Sequence, residues 1–162
     1  MPNEPGVYWW YFPADCLARF RITEICGEGT LNLMRSPEGK VCLYHGMTTS
    51  LAHRIEWHAA QKLTQGALSS GFLSTFRFTL LALNEFDYAA GNFEIDLFMD
   101  GLDVVWQSAT SVAEARTLER EELGGATHYP LNIQNNHHSD LAVFTQHLKR
   151  VRRDYKRRYI KG

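Results

Sequence analysis

Short apolar and aromatic runs, separated by turn signals, predict three β-strands. The first run, GVYWWYF at residues 6–12, ends at Pro13 and is so rich in aromatic residues that both of its faces must be covered. Two further runs, at residues 40–45 and 103–108, predict the other strands. Turn signals lie within residues 13–40, so this stretch is predicted to form a hairpin or loop.

Capping signals and helical periodicity predict the helices. Thr48, Thr49 or Ser50 can cap a helix that begins near Leu51, and Ser111 with Glu114 forms a capping box for a helix that runs to residue 123. The patterns at residues 72–83 and 92–99 favour two more helices. After residue 140 a last helix carries apolar side chains at helical spacing, namely Leu141, Phe144, Leu148, Val151 and Tyr155.

The charge of the chain is divided unevenly, although its net charge is only −1. Residues 1–136 hold nine basic and sixteen acidic residues, whereas residues 137–162 hold eight basic and two acidic ones. We therefore divide the chain into a domain of residues 1–136 and a basic helical extension of residues 137–162. Phosphate contacts are predicted for the extension, as an alternative to a solvated helix face, at Lys149, Arg150, Arg152, Arg153, Lys156, Arg157 and Arg158.

Composition limits the class of protein further. A chain of 162 residues with 44% hydrophobic and 22% charged residues is typical of a soluble globular domain. No apolar run reaches the roughly 18 residues of a membrane span, and the first residues lack the pattern of a signal peptide. Cys16, Cys26 and Cys42 have no CxxC spacing, which argues against a structural zinc site and indicates reduced thiols in the cytoplasm.

Several short motifs follow one another along these elements. Gly6-Val7-Tyr8 lies on the first predicted strand and Tyr44-His45-Gly46 on the second, and Arg54 follows Gly46 by eight residues. Glu119 closes the sequence ARTLE on the capped helix, and Pro130-Leu131-Asn132 comes after it. In this order the motifs resemble those of the GIY-YIG nuclease family. The sequence departs from the family pattern by His45 in place of isoleucine and by a longer segment between the first two strands.

The resemblance implies a fold and a chemistry. The fold would be α+β, a small central antiparallel three-stranded sheet flanked by helices, with the inserted hairpin and the basic C-terminal helix added. Hydrolysis of a phosphodiester needs a deprotonated water and stabilisation of the negative charge that develops on the phosphate. By resemblance, Glu119 binds Mg²⁺ or Mn²⁺, Arg54 holds the scissile phosphate, Tyr8 and Tyr44 orient or deprotonate the water, and Asn132 holds the site together through hydrogen bonds.

His58 adds a finer indication. It follows Arg54 by four residues, so both side chains can project from one face of the helix. An Arg-x-x-x-His pair in this helix resembles the restriction-endonuclease branch of the family. There the histidine accepts a proton or keeps a tyrosine in its reactive form, which its near-neutral pKa permits.

Structural explanations compete with these roles. Tyr8 and Tyr44 can be ordinary strand aromatics, and Arg54 and His58 ordinary helix residues. Glu122 is the second choice for the metal ligand, because it lies on the same side of the helix as Glu119 while Glu121 is rotated away. Asn135 and Asn136 are rival asparagines in the loop that follows.

The sequence thus predicts a metal-dependent endonuclease for double-stranded DNA, of the sequence-specific type II restriction kind. The alternatives are a structure-specific or repair nuclease and a DNA-binding module that has the fold without the chemistry. One active site per chain predicts a homodimer, which would form through Trp9, Trp10 or residues 66–90. Such an enzyme would act in the cytoplasm, in a prokaryotic or phage setting, without a membrane partner.

Overall fold

The computed structural model describes residues 2–60, 75–87 and 91–159, and the side chains of residues 56–60 and 91–92 lie outside this description. The described strands and helices follow one another as β1 (Gly6–Phe12), α1 (Cys16–Arg19), α2 (Ile22–Cys26), β2 (Val41–Thr48), α3 (Leu51–Ala60), α4 (Thr75–Asn84), α5 (Gly91–Asp100), β3 (Asp103–Ser108), α6 (Val112–Leu123), a 3₁₀ turn (Ser139–Leu141) and α7 (Ala142–Tyr159).

The three strands form one antiparallel sheet in the order β2-β1-β3. This is the predicted α+β architecture, and the predicted strands lie within a residue or a few residues of the observed bounds. In the register of β1, Tyr8 lies opposite Gly46 on β2 and opposite Trp106 on β3. Because side chains alternate between the faces of a strand, Tyr44 lies on the same face as Tyr8, and His45 lies on the other.

One hydrophobic core joins the sheet to the helices on both sides of residue 136. Trp10 on β1 stacks on Phe76 of α4 with ring centroids 5.4 Å apart. Phe144 and Leu148 of α7 are fully buried in the same cluster, together with Tyr155. The apolar stripe predicted for the last helix is therefore confirmed. Since α7 completes the core of the preceding residues, the boundary at residue 136 does not separate two independent cores.

The hairpin expected within residues 13–40 is wrong for the first half of that segment. Cys16 and Phe20 are four residues apart, a spacing that places both on one side of a helical turn, and both are buried. The segment therefore coils into α1 and α2, with Arg21 at a φ of 61° between them. Strand pairing is limited to an isolated bridge between Arg35 and Val41, around a turn closed by the Ser36 N–H and the Lys40 carbonyl.

The capping box at the start of α6 is observed with one change of partner. The Ser111 hydroxyl accepts a hydrogen bond of 3.0 Å from the Glu114 N–H, as expected. The Glu114 carboxylate, however, accepts from the N–H of Thr110 and not from that of Ser111. Both interactions supply partners at a helix end, where N–H groups lack partners within the helix. No helix in the described part of the chain is both long and apolar enough to cross a bilayer.

Candidate active site

A cleft of about 270 Å³ opens where β1, β2, α3 and α6 meet. Its lining includes five of the six residues predicted for catalysis, namely Tyr8, Tyr44, Arg54, Glu119 and Asn132. These residues come from two strands, two helices and the loop after α6, so only the tertiary fold brings them together. The rest of the lining is formed by His45, Gly46, Met47, Thr75, Leu123, Ile133, Gln134 and Asn135.

The two tyrosines form a buried pair at the base of the cleft. Their ring centroids lie 6.4 Å apart, and the Tyr8 hydroxyl donates a hydrogen bond to that of Tyr44. Burial raises the pKa of Tyr8 well above its usual value and raises the pKa of Tyr44 to about 12. The hydrogen bond lowers the pKa of Tyr44 and raises that of Tyr8. Both phenols are therefore neutral at pH 7.

Two glycines make room for this arrangement. A Cβ at Gly46 would lie 2.5 Å from the Tyr8 hydroxyl oxygen and 2.7 Å from its Cζ, closer than real contacts allow. A Cβ at Gly6 would lie 2.7 Å from Cδ1 of Leu51, the first residue of α3. The first glycine lets Tyr8 cross over β2, and the second lets α3 approach β1 closely enough for Arg54 to reach the cleft.

Arg54 and Glu119 bring opposite charges to the tyrosine pair. The Arg54 guanidinium lowers the pKa of both phenols, whereas the Glu119 carboxylate raises the pKa of both. Burial raises the pKa of Glu119 itself, and a hydrogen bond from the Met47 N–H opposes that rise. The cleft therefore offers a cation and a half-buried carboxylate near two neutral hydroxyl groups.

A neighbouring tyrosine gives the two candidate glutamates of α6 different surroundings. The Tyr129 hydroxyl donates a hydrogen bond to the Glu122 carboxylate and accepts one of 3.1 Å from the Trp9 indole. Glu122 is thereby directed towards Tyr129 and does not line the cleft, although it lies only three residues from Glu119. Of the two, Glu119 is the carboxylate that faces the tyrosines and Arg54.

Asn132 binds the backbone of β2 at the residue next to Tyr44. Its side-chain N–H donates a 2.7 Å hydrogen bond to the His45 carbonyl, and its Oδ1 accepts a 3.0 Å bond from the His45 N–H. The rival Asn136 donates to the carbonyls of Tyr129 and Asn132 and so supports the loop. Asn132 is thus placed to hold Tyr44 in position.

His45 lies on the face of β2 opposite to Tyr44. Its ring packs between Trp9 and Tyr129, with centroid distances of 4.8 and 5.3 Å. Burial lowers the pKa of His45 to about 4, so the ring is neutral at physiological pH. The histidine that replaces the isoleucine of the family motif therefore affects packing on the face of the sheet opposite to Tyr44.

The model of the GIY-YIG catalytic domain matches residues 6–154 of this chain. The chain belongs to the GIY-YIG family. No curated protein and no solved structure gives a significant match. The family match begins at the first residue of β1 and ends within α7, so it includes most of the basic helix. Membership in the GIY-YIG family supports a nuclease that acts on DNA with a divalent cation.

The donor set of the GIY-YIG cleft fits such a cation. In the described part of the chain, no group of three or more His, Cys, Asp or Glu side chains is arranged to hold a metal. Mg²⁺ needs no such cage, because it keeps several of its waters and binds through one or two carboxylates. Glu119, half-buried at a cleft with room for water, supplies one carboxylate of this kind.

His58 follows Arg54 on α3, one helical turn away. Its side chain lies outside the described residues, so the role given to it remains a prediction. Residues 66–74 and 88–90 of the segment suggested for dimer contact also lie outside them. Trp10, by contrast, is described, and it is 3% exposed within the core. A dimer contact through Trp10 is therefore ruled out, because the core already covers its ring.

The basic residues of α7 form a separate groove of about 370 Å³. Lys149, Arg153 and Arg157 line it, with Arg152 and Lys156 over the ring of Phe78 at 5.0 and 5.3 Å from its centroid. Lys149, Arg150, Arg153, Arg157 and Arg158 are exposed. Burial lowers the pKa of Arg152, which packs partly against the protein. Phe78 of this groove and Thr75 of the first cleft both belong to α4. They are three residues apart, a rise of about 4.5 Å along the helix.

Two features of the site escaped prediction from the sequence. The Met47 N–H that binds Glu119 is a backbone group, which no side-chain pattern reveals. Arg116 and Arg120 line a second cleft beside Glu119, and they had a visible signal, because they lie three residues before and one residue after that glutamate on α6.

Proposed function

We propose that this protein is a Mg²⁺- or Mn²⁺-dependent DNA endonuclease of the type II restriction kind. The observation that supports this most directly is the convergence of Tyr8, Tyr44, Arg54 and Glu119 at one cleft. Each of these side chains is of the type that phosphodiester hydrolysis requires. As a binding module the protein would need basic groups, but it would have no use for a half-buried carboxylate next to the phosphate.

Two residues would hold the charged partners of the reaction. Glu119 binds the divalent cation, which stabilises the negative charge that grows on the phosphate in the transition state. Arg54 binds the non-bridging oxygens of the scissile phosphate, because its planar guanidinium matches two oxygens at once. Asn132 keeps Tyr44 at a constant distance from that phosphate through its two hydrogen bonds to His45.

The hydroxyl pair would orient the water that attacks phosphorus as one P–O ester bond breaks. Because Tyr44 is neutral at pH 7, it can accept a proton from the water only when its own proton passes to another base. His58 is the alternative acceptor, or it takes the proton from Tyr44, since an ordinary histidine is partly unprotonated at pH 7. Tyr8 then serves to hold Tyr44 and the water in line.

The restriction assignment rests on Arg54 and His58 at their spacing of four residues on α3. The basic groove of α7 would contact the phosphates of double-stranded DNA outside the cleft. A homodimer would bring two clefts to the two strands, and the enzyme would act in the cytoplasm of a prokaryotic cell or in a phage setting.

Plasmid cleavage by Glu119→Gln, compared with wild type and Glu121→Gln, tests this proposal. Glu121 is on the same helix, exposed and rotated away from the cleft, so it is a matched control. Glu119→Gln should cleave at least about 10²-fold more slowly, since several kcal/mol of charge stabilisation are lost. Glu121→Gln should cleave at the wild-type rate. Equal rates for all three proteins would refute the mechanism.

The cut ends separate the enzyme classes. A fixed short sequence at the ends supports the restriction enzyme, and a fixed junction geometry would support a structure-specific or repair nuclease instead. DNA binding without cleavage in Mg²⁺ or Mn²⁺ would point to the binding module.

A further inference from the structure

A second cleft of about 530 Å³ adjoins the first. Met47, Glu119, Leu123 and Asn135 line both clefts, so the two share a wall at the proposed metal ligand. The side chains that belong only to the second cleft are those of Arg116, Arg120 and His137. The function proposed above makes no use of this second cleft.

Arg116 and Arg120 lie on the same side of α6 as Glu119. They are four residues apart, and Glu119 is three residues after Arg116, so all three lie within about one turn of the helix. Ala115 and Leu123, four residues before and four residues after Glu119, are buried on the side of the helix that carries this glutamate, and they hold α6 against the sheet. The two guanidinium groups therefore have a defined position relative to the first cleft.

Neither arginine is neutralised by the protein. Both are exposed, and within residues 2–60, 75–87 and 91–159 neither forms an ion pair. Other arginines of this chain do find carboxylates, as Arg21 does with Glu24 and Arg77 does with Asp96. The Glu119 carboxylate, three residues from Arg116, is bound by the Met47 N–H instead. Two uncompensated cations beside a cleft attract an anion from outside the protein.

We infer that the second cleft binds the backbone phosphate next to the scissile one in the cleaved DNA strand, through Arg116 and Arg120. This inference rests on the function proposed for the first cleft. Successive phosphates of a strand in duplex DNA are about 3.4 Å apart along the axis, comparable to the rise of about 4.5 Å that separates Arg116 from Glu119 along α6. A strand whose scissile phosphate lies at Arg54 and Glu119 therefore presents its next phosphate to the second cleft.

The two arginines are positioning residues in this scheme. They hold the strand on the far side of Glu119 from Arg54, so the scissile phosphate has a support on each side. Their guanidinium groups suit phosphate oxygens better than lysine would, because each can donate two parallel hydrogen bonds. If they were merely a solvated helix face, their removal would leave DNA affinity and its salt dependence unchanged.

The salt dependence of DNA binding tests the inference without requiring cleavage. The affinity of a fluorescein-labelled duplex is measured by anisotropy over a range of salt concentrations, with EDTA present. The proteins are wild type, Arg116→Gln/Arg120→Gln and, as a control that removes two charges, Arg19→Gln/Arg35→Gln. Arg19 and Arg35 are exposed and line neither cleft. The slope of log affinity against log salt should fall in magnitude by about 0.9 for the cleft variant, the value for one phosphate contact. The control should keep the wild-type slope.

An unchanged slope in the cleft variant would overturn the inference, and so would an equal fall in the control. Absence of cleavage by the wild-type protein, with a slope that falls only in the cleft variant, would refute the proposed nuclease and leave the phosphate site standing. Where cleavage occurs, a neutral methylphosphonate next to the scissile phosphate should slow the wild type. The same substitution should have no further effect on the cleft variant, because the contact is already absent. Further slowing of the variant to the same extent as the wild type would contradict the assignment.

Discussion

Replacement of Gly46 by alanine should disable the cleft through Tyr8 while leaving the fold intact. Gly46 faces Tyr8 across the β1–β2 ladder, and its backbone is not in the left-handed region that favours glycine. Alanine is therefore compatible with the backbone at this position, and the three atoms nearest to the new methyl group all belong to Tyr8. Any effect on activity should come from displacement of that ring.

The size of the displacement follows from the contact distances. The new Cβ would lie 2.5 Å from the Tyr8 hydroxyl oxygen, so the ring must move by about 1 Å to reach ordinary contact. The nearby cleft gives the hydroxyl end of the ring space to move, so stability should fall by only about 1 kcal/mol, the low end for overpacking. A displacement of about 1 Å in a catalytic group typically reduces the rate about 10²-fold. Gly46→Ala should therefore be about a hundred times slower in cleavage.

The assay is a double-mutant cycle of cleavage rates with Tyr8→Phe. When Phe replaces Tyr8, the hydroxyl that alanine displaces is already absent, so adding Gly46→Ala should reduce the rate less than about 10-fold further. Gly101→Ala is the control, because its Cβ would meet nothing closer than the Phe98 carbonyl oxygen at 3.4 Å. Its stability should stay within about 0.5 kcal/mol of wild type. Equal rate losses from Gly46→Ala in both backgrounds would refute the argument.

Two further predictions concern pH and salt. The folded pKa of His45 is about 4, below the ordinary value of about 6.5, so its contribution to stability is complete above pH 6.5 and is lost as pH falls towards 4. The free energy of unfolding, measured in urea, should be about 2 kcal/mol lower at pH 5 than at pH 7 because of this group, and His45→Gln should lack that difference. Parallel pH profiles for the wild type and His45→Gln would contradict the prediction. In the α7 groove, the triple variant Lys149→Gln/Arg153→Gln/Arg157→Gln should reduce the slope of log DNA affinity against log salt by up to about 2.7 in magnitude, with the free energy of unfolding unchanged. An unaltered slope would identify α7 as a solvated helix.

Much of the local structure could be predicted because it depends on neighbouring residues. The run at residues 6–12 and the capping box at Ser111 contain their own signals, and the strand and helix form where those signals lie. The opposite directions of Tyr44 and His45 likewise follow from alternation along a strand. The conformation of residues 13–40 was harder to predict, because a short apolar segment can form either a strand or a helix, depending on the residues that pack against it. In this protein Cys16 and Phe20 pack into the core from one helical turn.

The sequence by itself determined which chemical groups the protein has and the order in which they occur, because propensity, capping and alternation act over a few residues. The tertiary structure alone decided how those groups meet. Glu119 lines the cleft, whereas Glu122 binds Tyr129, which comes from the loop after α6. Gly46 is needed because the sheet register sets Tyr8 against it. The basic helix belongs to the core because Phe144 and Leu148 complete it. Each of these contacts joins residues far apart in the chain, and close packing decides which of them form.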